Sequence, residues 1–199
     1  MKPFRVSVPL LVAASDFAVP YDDKFDKTAR ALHLKCVWFV DRSIVATNGH
    51  IMVCISLHGE GPSDKEAFGI APVHIRAMAG VAGLIGESSV DVGHDESGSV
   101  LFSMEVGEKR DQKIGLHVPA VDISARPNYR AVLAQQPSKG SNPHLAFNPE
   151  YLRRIAAVNQ AQNCGSIKIS AWGPSCDPIL YENAAGTLFA LMAVRGDHV

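Results

Sequence analysis

The residues of this chain that could do chemistry are few and scattered. Its 199 residues include eight histidines and four cysteines. No histidine stands at a recognisable catalytic spacing from a serine, cysteine or carboxylate. There is no Gly-x-Ser-x-Gly elbow, no Gly-x-Gly-x-x-Gly after a strand, no phosphate-binding P-loop and no His-Glu-x-x-His. Cys36, Cys54, Cys164 and Cys176 form no Cys-x-x-Cys pair and no zinc-type cluster. A chain of this size needs no disulfide staples, so they read as reduced, mostly buried thiols of a cytoplasmic protein. Gly93-His94-Asp95-Glu96 offers metal-ligating types in a row, but ahead of Ser97-Gly98 it reads as a polar hairpin tip. His50 follows Asn48-Gly49 directly, and a histidine beside a turn is more often a surface or hydrogen-bonded residue than a ligand or base. The expectation is a protein without catalysis, cofactor or metal.

Composition narrows the classes further. The chain is 47% hydrophobic with a net charge of −1, enough apolar material for a substantial core and no overall basic charge for nucleic acid. No apolar run reaches the ~18 residues of a membrane span, because His74 and Arg76 interrupt the longest candidate. Lys2 and Arg5 ahead of an apolar stretch resemble the start of a signal peptide. Against that, Phe4, Val6 and Val8 alternate with Arg5 and Ser7, which predicts a strand, and Pro9 then suits the first turn of a helix over Leu10–Val19.

Two more helices are predicted. One follows Pro72 with Val73, Ile75, Met78, Val81 and Leu84 at helical spacing. The other runs from Asn148 to about Gln162, with Asn148 as N-cap, Pro149 and Glu150 in the first turn, and Arg153 and Arg154 on its polar face. Between the helices the pattern changes to period two, in 31–40, 44–57, 90–92, 100–106, 114–118, 167–171 and 187–194, separated by turn residues. Asn48-Gly49 suits a type I′ hairpin turn. A strand, a helix and a set of hairpins thus recur three times, from near Phe4, Phe68 and Leu145. The polar, turn-rich stretch 135–142 reads as a linker.

Four segments in order carry a resemblance: Val45-Ala46-Thr47-Asn48-Gly49-His50-Ile51-Met52, Arg126-Pro127-Asn128-Tyr129-Arg130-Ala131-Val132-Leu133, Phe147-Asn148-Pro149-Glu150-Tyr151-Leu152, and Leu188 to Arg195. Together they resemble the bacterial DNA polymerase III beta subunit, the sliding clamp. The resemblance implies an α+β DNA-clamp fold in which antiparallel sheets lie outside and helices on one face. Residues 1–134 correspond to the complete middle domain, 135–142 to a linker, and 143–199 to the second half of the last domain. It further implies a pocket for the clamp-binding peptides of replication proteins, formed by Thr47, Gly49, His50, Ile51 and Met52, by Pro127, Ala131 and Val132, and by Ala190, Met192 and Val194. Duplex DNA, bound without sequence preference, would face His74, Arg76, Arg153 and Arg154.

The sequence departs from the family pattern where Ile51 and Ala131 replace arginines and Asn48 and Asn128 replace aspartates, so the pocket rim loses charge. The expected roles are a polymerase processivity factor, encoded by a phage or mobile element, or a non-encircling protein that competes with a host clamp for its partners. Unpaired half domains joining between chains would make a homo-oligomer. A fold-back of the half domain on the complete one is the alternative.

Overall fold

The computed structural model describes residues 2–19, 32–58, 61–95, 97–106, 112–122, 124, 126–134, 148–171 and 178–192. Strand β1 (Phe4–Ser7) leads directly into helix α1 (Val8–Ser15). Ser7 Oγ accepts from the Leu10 N–H at 3.4 Å, and Pro9 occupies the first turn. The helix therefore begins and ends earlier than Leu10–Val19, because the serine cap sets its start. Three strands follow, β2 (Val37–Val40), β3 (Ser43–Thr47) and β4 (Ile51–Ser56).

The second unit repeats this order with β5 (Phe68–Ile70), α2 (Pro72–Ile85), β6 (Ser89–His94), β7 (Val100–Val106) and β8 (Gln112–Val118). A short helix α3 (Tyr129–Leu133) then precedes α4 (Pro149–Ala161), β9 (Ile167–Ala171), β10 (Pro178–Asn183) and β11 (Leu188–Met192). Asn148 caps α4 by accepting from the Glu150 N–H at 2.9 Å, as its sequence predicts. The linker 135–142 lies outside the described residues.

All described strand pairs are antiparallel, in sheets of order β1-β6-β7-β8 and β5-β2-β3-β4-β11-β10-β9. The first two units exchange their leading strands, so β1 lies on the outer edge of β6 and β5 on the outer edge of β2. The third unit folds back on the first: β11 pairs with β4, and α4 packs against α1, which also packs against α2. Enclosed between neighbouring helices, α1 is apolar on most sides, with Val8, Leu11, Ala13 and Ala14 all buried. One core runs through all three units, from Phe4 and Val6 through Phe39, Ile44, Met78 and Phe102 to Ile155, Val158 and Phe189.

A second apolar cluster, on the other face of the long sheet, contains Cys36, Trp38, Val40, Val45, Met52, Cys54, Tyr129 and Ala190. The period-two pattern accounts for both clusters. In β2, Val37 and Phe39 join the first while Trp38 and Val40 join the second. The fold permits little else beside Trp38, since a Cβ on Gly69 would lie 3.0 Å from its ring.

Candidate functional site

The β3–β4 turn forms the first wall of a groove. Asn48 uses its side chain rather than a left-handed backbone, its Oδ1 accepting from the N–H groups of His50 and Ile51 at 3.0 Å each. Thr47 Oγ1 donates to the Ile51 carbonyl at 2.9 Å and accepts from the Gly49 N–H at 3.0 Å. Only Gly49 in this turn has positive φ, +89°, so the type I′ reading of Asn48-Gly49 is corrected. The preceding hairpin, turning on Asp41 (φ 48°) and Arg42 (φ 54°), has left-handed backbone at both central residues.

The second wall comes from β11, whose register against β4 sets Ala190 opposite Met52 and Leu191 opposite Ile51. The Met192 N–H donates to the His50 carbonyl at 2.9 Å, which fastens the strand end to the turn. The third wall is the Pro127–Val132 segment. Asn128 caps α3, and Tyr129 inserts its ring into the second apolar cluster, where burial pushes its phenol above the usual range. Arg130 holds this segment in place: it pairs with Asp41 at 2.6 Å and Asp64 at 3.6 Å, while Arg126 pairs with Asp64 at 2.8 Å.

Between these walls lies a groove of about 410 Å³, without a lysine, arginine, aspartate or glutamate in its lining. Thr47, Gly49, His50, Ile51, Met52, Pro127, Val132, Ala190 and Met192 all line it. Ala131 does not: it is exposed on the side of α3 turned away. Val194 lies outside the described residues. The groove also takes His33, Leu34, Asn128, Tyr129 and Pro178. Asn128 and Tyr129 belong to the segment that carried the resemblance, whereas His33, Leu34 and Pro178 have no sequence signal. Burial holds His33 below its usual value, which favours the neutral ring.

The basic residues lie on the helices. Arg76 of α2 reaches Asp16 after α1 at 3.1 Å, and Arg153 of α4 grips Glu150 through two bonds of 2.8 and 2.7 Å. Arg154 contacts Glu150 at 3.3 Å and lies over the Tyr151 ring, 5.7 Å from its centroid. Tyr151 also stacks with His50, 6.5 Å between centroids, so this helix and the groove rim share a side chain. Arg153, then Arg154, pull the Glu150 carboxyl down to about 2. His74 is half-buried.

The groove is lined mainly by apolar side chains. Cys36 and Cys54 are buried free thiols pushed up to about 11, far from the reactive range. Among the described residues no cluster of His, Cys, Asp or Glu could hold a metal ion. In the 93–98 stretch, Asp95 accepts from the N–H and hydroxyl of Ser97 and meets His117 Nδ1 at 2.7 Å, which holds its carboxyl at about 2. No described helix is long and apolar enough to cross a membrane.

This fold is that of the DNA polymerase sliding clamps. Three solved structures illustrate the match. The DNA polymerase III beta subunit of Thermotoga maritima aligns with a TM-score of 0.61 at 10% identity, over 98% of this chain and 65% of that one. The beta subunit of Pseudomonas aeruginosa gives 0.58 at 15% identity, over 98% and 67%. The sliding clamp of Caulobacter crescentus gives 0.60 at 14% identity, over 98% and 65%. The chain therefore spans about two thirds of the length of the clamps it matches. No protein-family model and no curated protein matches the sequence.

Proposed function

We propose that this protein is a non-catalytic, clamp-like binding protein whose groove takes an extended apolar peptide, the clamp-binding motif of a replication protein. The observation that carries the reading is the meeting of the β3–β4 turn, the end of β11 and the α3 segment around one uncharged groove. Met52, Met192, Val132 and Ile51 supply adaptable apolar surface for aliphatic and aromatic anchors. A peptide of Gln followed by aliphatic and aromatic residues should bind with micromolar Kd, roughly −8 kcal/mol. Isothermal calorimetry is the test. Met52→Glu should abolish the heat, while Leu84→Glu, on the exposed side of α2, should leave it unchanged. Absence of binding by the wild type at high concentration would refute the reading.

Within it, the role of polymerase processivity factor requires that Arg76, Arg153 and Arg154, with His74, meet duplex DNA. Pairing of these arginines with Asp16 and Glu150 favours the second role, a non-encircling competitor for the same peptides. Retention on circular duplex DNA decides between them. The competitor role predicts none, and the clamp role predicts retention that Arg153→Glu with Arg154→Glu lowers.

A further inference from the structure

The segment 126–134 separates two cavities of opposite character. Pro127, Asn128 and Tyr129 line the uncharged groove on one side, and the same three residues line a polar cavity of about 290 Å³ on the other, with Asp64, Arg126 and Arg130. Arg130 belongs to the polar cavity and not to the groove. Among the described residues, no backbone hydrogen bond joins 126–134 to another element, so this wall is fastened by its side chains. Pro127 and Tyr129 are buried, and the two arginines reach across to the neighbouring turns. Those turns are firmly bonded themselves. Asp41 sits in the β2–β3 hairpin, where the Arg42 N–H donates to the Pro62 carbonyl at 2.8 Å and the Leu57 N–H donates to the Arg42 carbonyl at 2.9 Å. Asp64 opens the helical turn Asp64–Glu66, where Glu66 Oε2 accepts from the Ser63 hydroxyl at 2.8 Å and from the Ser63 N–H at 3.2 Å. The Arg130 guanidinium spans both anchors, with one terminal nitrogen 2.6 Å from Asp41 and the other 3.6 Å from Asp64.

We propose that Arg130 is a positioning residue for the groove: its pairs with Asp41 and Asp64 hold the third wall closed, so that ionic strength governs the binding even of a wholly uncharged peptide. Exposed pairs contribute little to global stability, because water and salt screen them. A wall without backbone bonds to its neighbours opens locally at far smaller cost than the whole fold unfolds, and on that scale the same pairs matter. Peptide affinity follows the fraction of time the wall is closed, so a wall closed a third of the time binds about threefold more weakly. The guanidinium fork suits two carboxylates on different elements, whereas a lysine ammonium is a single point charge. The inference rests on the peptide-binding reading, but Cys54 provides a readout that needs no peptide. Its thiol is buried in the apolar cluster to which Tyr129 belongs, so lifting of α3 uncovers that cluster.

Calorimetry with an acetylated, amidated peptide free of charged residues tests it, together with iodoacetamide labelling of Cys54 read by mass spectrometry. Arg130→Ala should raise Kd about threefold or more and speed Cys54 labelling, with the melting temperature within about 3 °C of wild type. Asp41→Asn keeps a residue type that tolerates the left-handed backbone there and should shift Kd and labelling in the same direction. Arg130→Lys should fall between wild type and alanine. Raising sodium chloride from about 0.05 to 1 M shrinks the Debye length to about 3 Å, and should weaken peptide binding by the wild type but hardly by Arg130→Ala. Arg5→Ala, on β1 in the other sheet, should behave as wild type. Equal Kd, salt dependence and labelling in Arg130→Ala and wild type would overturn the inference, as would the same changes in Arg5→Ala or a larger fall in melting temperature. If no peptide binds the wild type, the functional reading falls, and the labelling rates alone decide whether Arg130 holds the wall.

Discussion

Replacing Asn183 by alanine should loosen the third unit more than any exposed change could. Asn183 is buried at the end of β10, and both polar atoms of its side chain are fully used. Its Nδ2 donates to Asn159 Oδ1 at 2.9 Å and Gln162 Oε1 at 2.8 Å, and its Oδ1 accepts from the N–H groups of Ala185 and Thr187 at 3.0 Å each. Alanine removes all of these bonds. It leaves the N–H of the fully buried Thr187 and the carboxamide of the buried Asn159 without Asn183 as a partner. A stranded buried group costs ~1–3 kcal/mol, so the pair gives about 2–6 kcal/mol, a large part of the ~5–15 kcal/mol that holds a typical domain together. Urea unfolding followed by circular dichroism should show the midpoint falling at unchanged slope. Asn183→Asp keeps the acceptor facing Ala185 and Thr187 but turns a buried carboxylate oxygen toward the Asn159 and Gln162 oxygens, so it should be no milder than alanine at neutral pH. A loss below ~0.5 kcal/mol for alanine would refute the reasoning, because water would then serve those groups as well as Asn183 does.

Other outcomes follow from the titratable groups. His33 is depressed in the folded protein, so stability is complete above about pH 6.5 and is lost as pH falls toward the lower folded value. His33→Gln should flatten the melting temperature between pH 7 and 5, and equal slopes in both proteins would count against a buried ring. Glu150 is also depressed, to about 2, so its contribution is present above its ordinary 4.5 and disappears as pH falls through about 2. A carboxyl midpoint near 4.5 by NMR would mean that Arg153 leaves it free. Cys36 and Cys54, raised to about 11, should resist iodoacetamide until the protein unfolds, and mass spectrometry of the native protein would expose any error as early labelling.

Much of the local structure was legible beforehand because its causes are local. Asn148, Pro149 and Glu150 define the start of α4, and the alternation over 100–106 and 167–171 matches β7 and β9. Strand β10 was missed, since Pro178-Ile-Leu-Tyr-Glu-Asn does not alternate in type and its place depends on pairing with β9 and β11. Asn48-Gly49 suggested a left-handed turn, but the Asn48 side chain satisfied the backbone instead. On α4, spacings of three and four residues placed Arg153 and Arg154 beside Glu150, while nothing local linked Arg76 to Asp16, sixty positions earlier.

The sequence by itself determined the capped start of α4, the apolar faces of most elements, and, through its resemblance to the clamps, which segments would line one groove. Caps, turns and periodicity act within a few residues, so they survive being read without a fold. The tertiary structure decided the rest. Pairing of β4 with β11 set Met52 against Ala190 and closed one side of the groove, while His33 and Leu34 came to line it from the loop before β2 and Ala131 stayed on the outer side of α3. It also placed β9 at the edge of the described sheet. Register between strands some 140 residues apart is chosen by the shared core they bury together, and no short stretch of either strand contains that information.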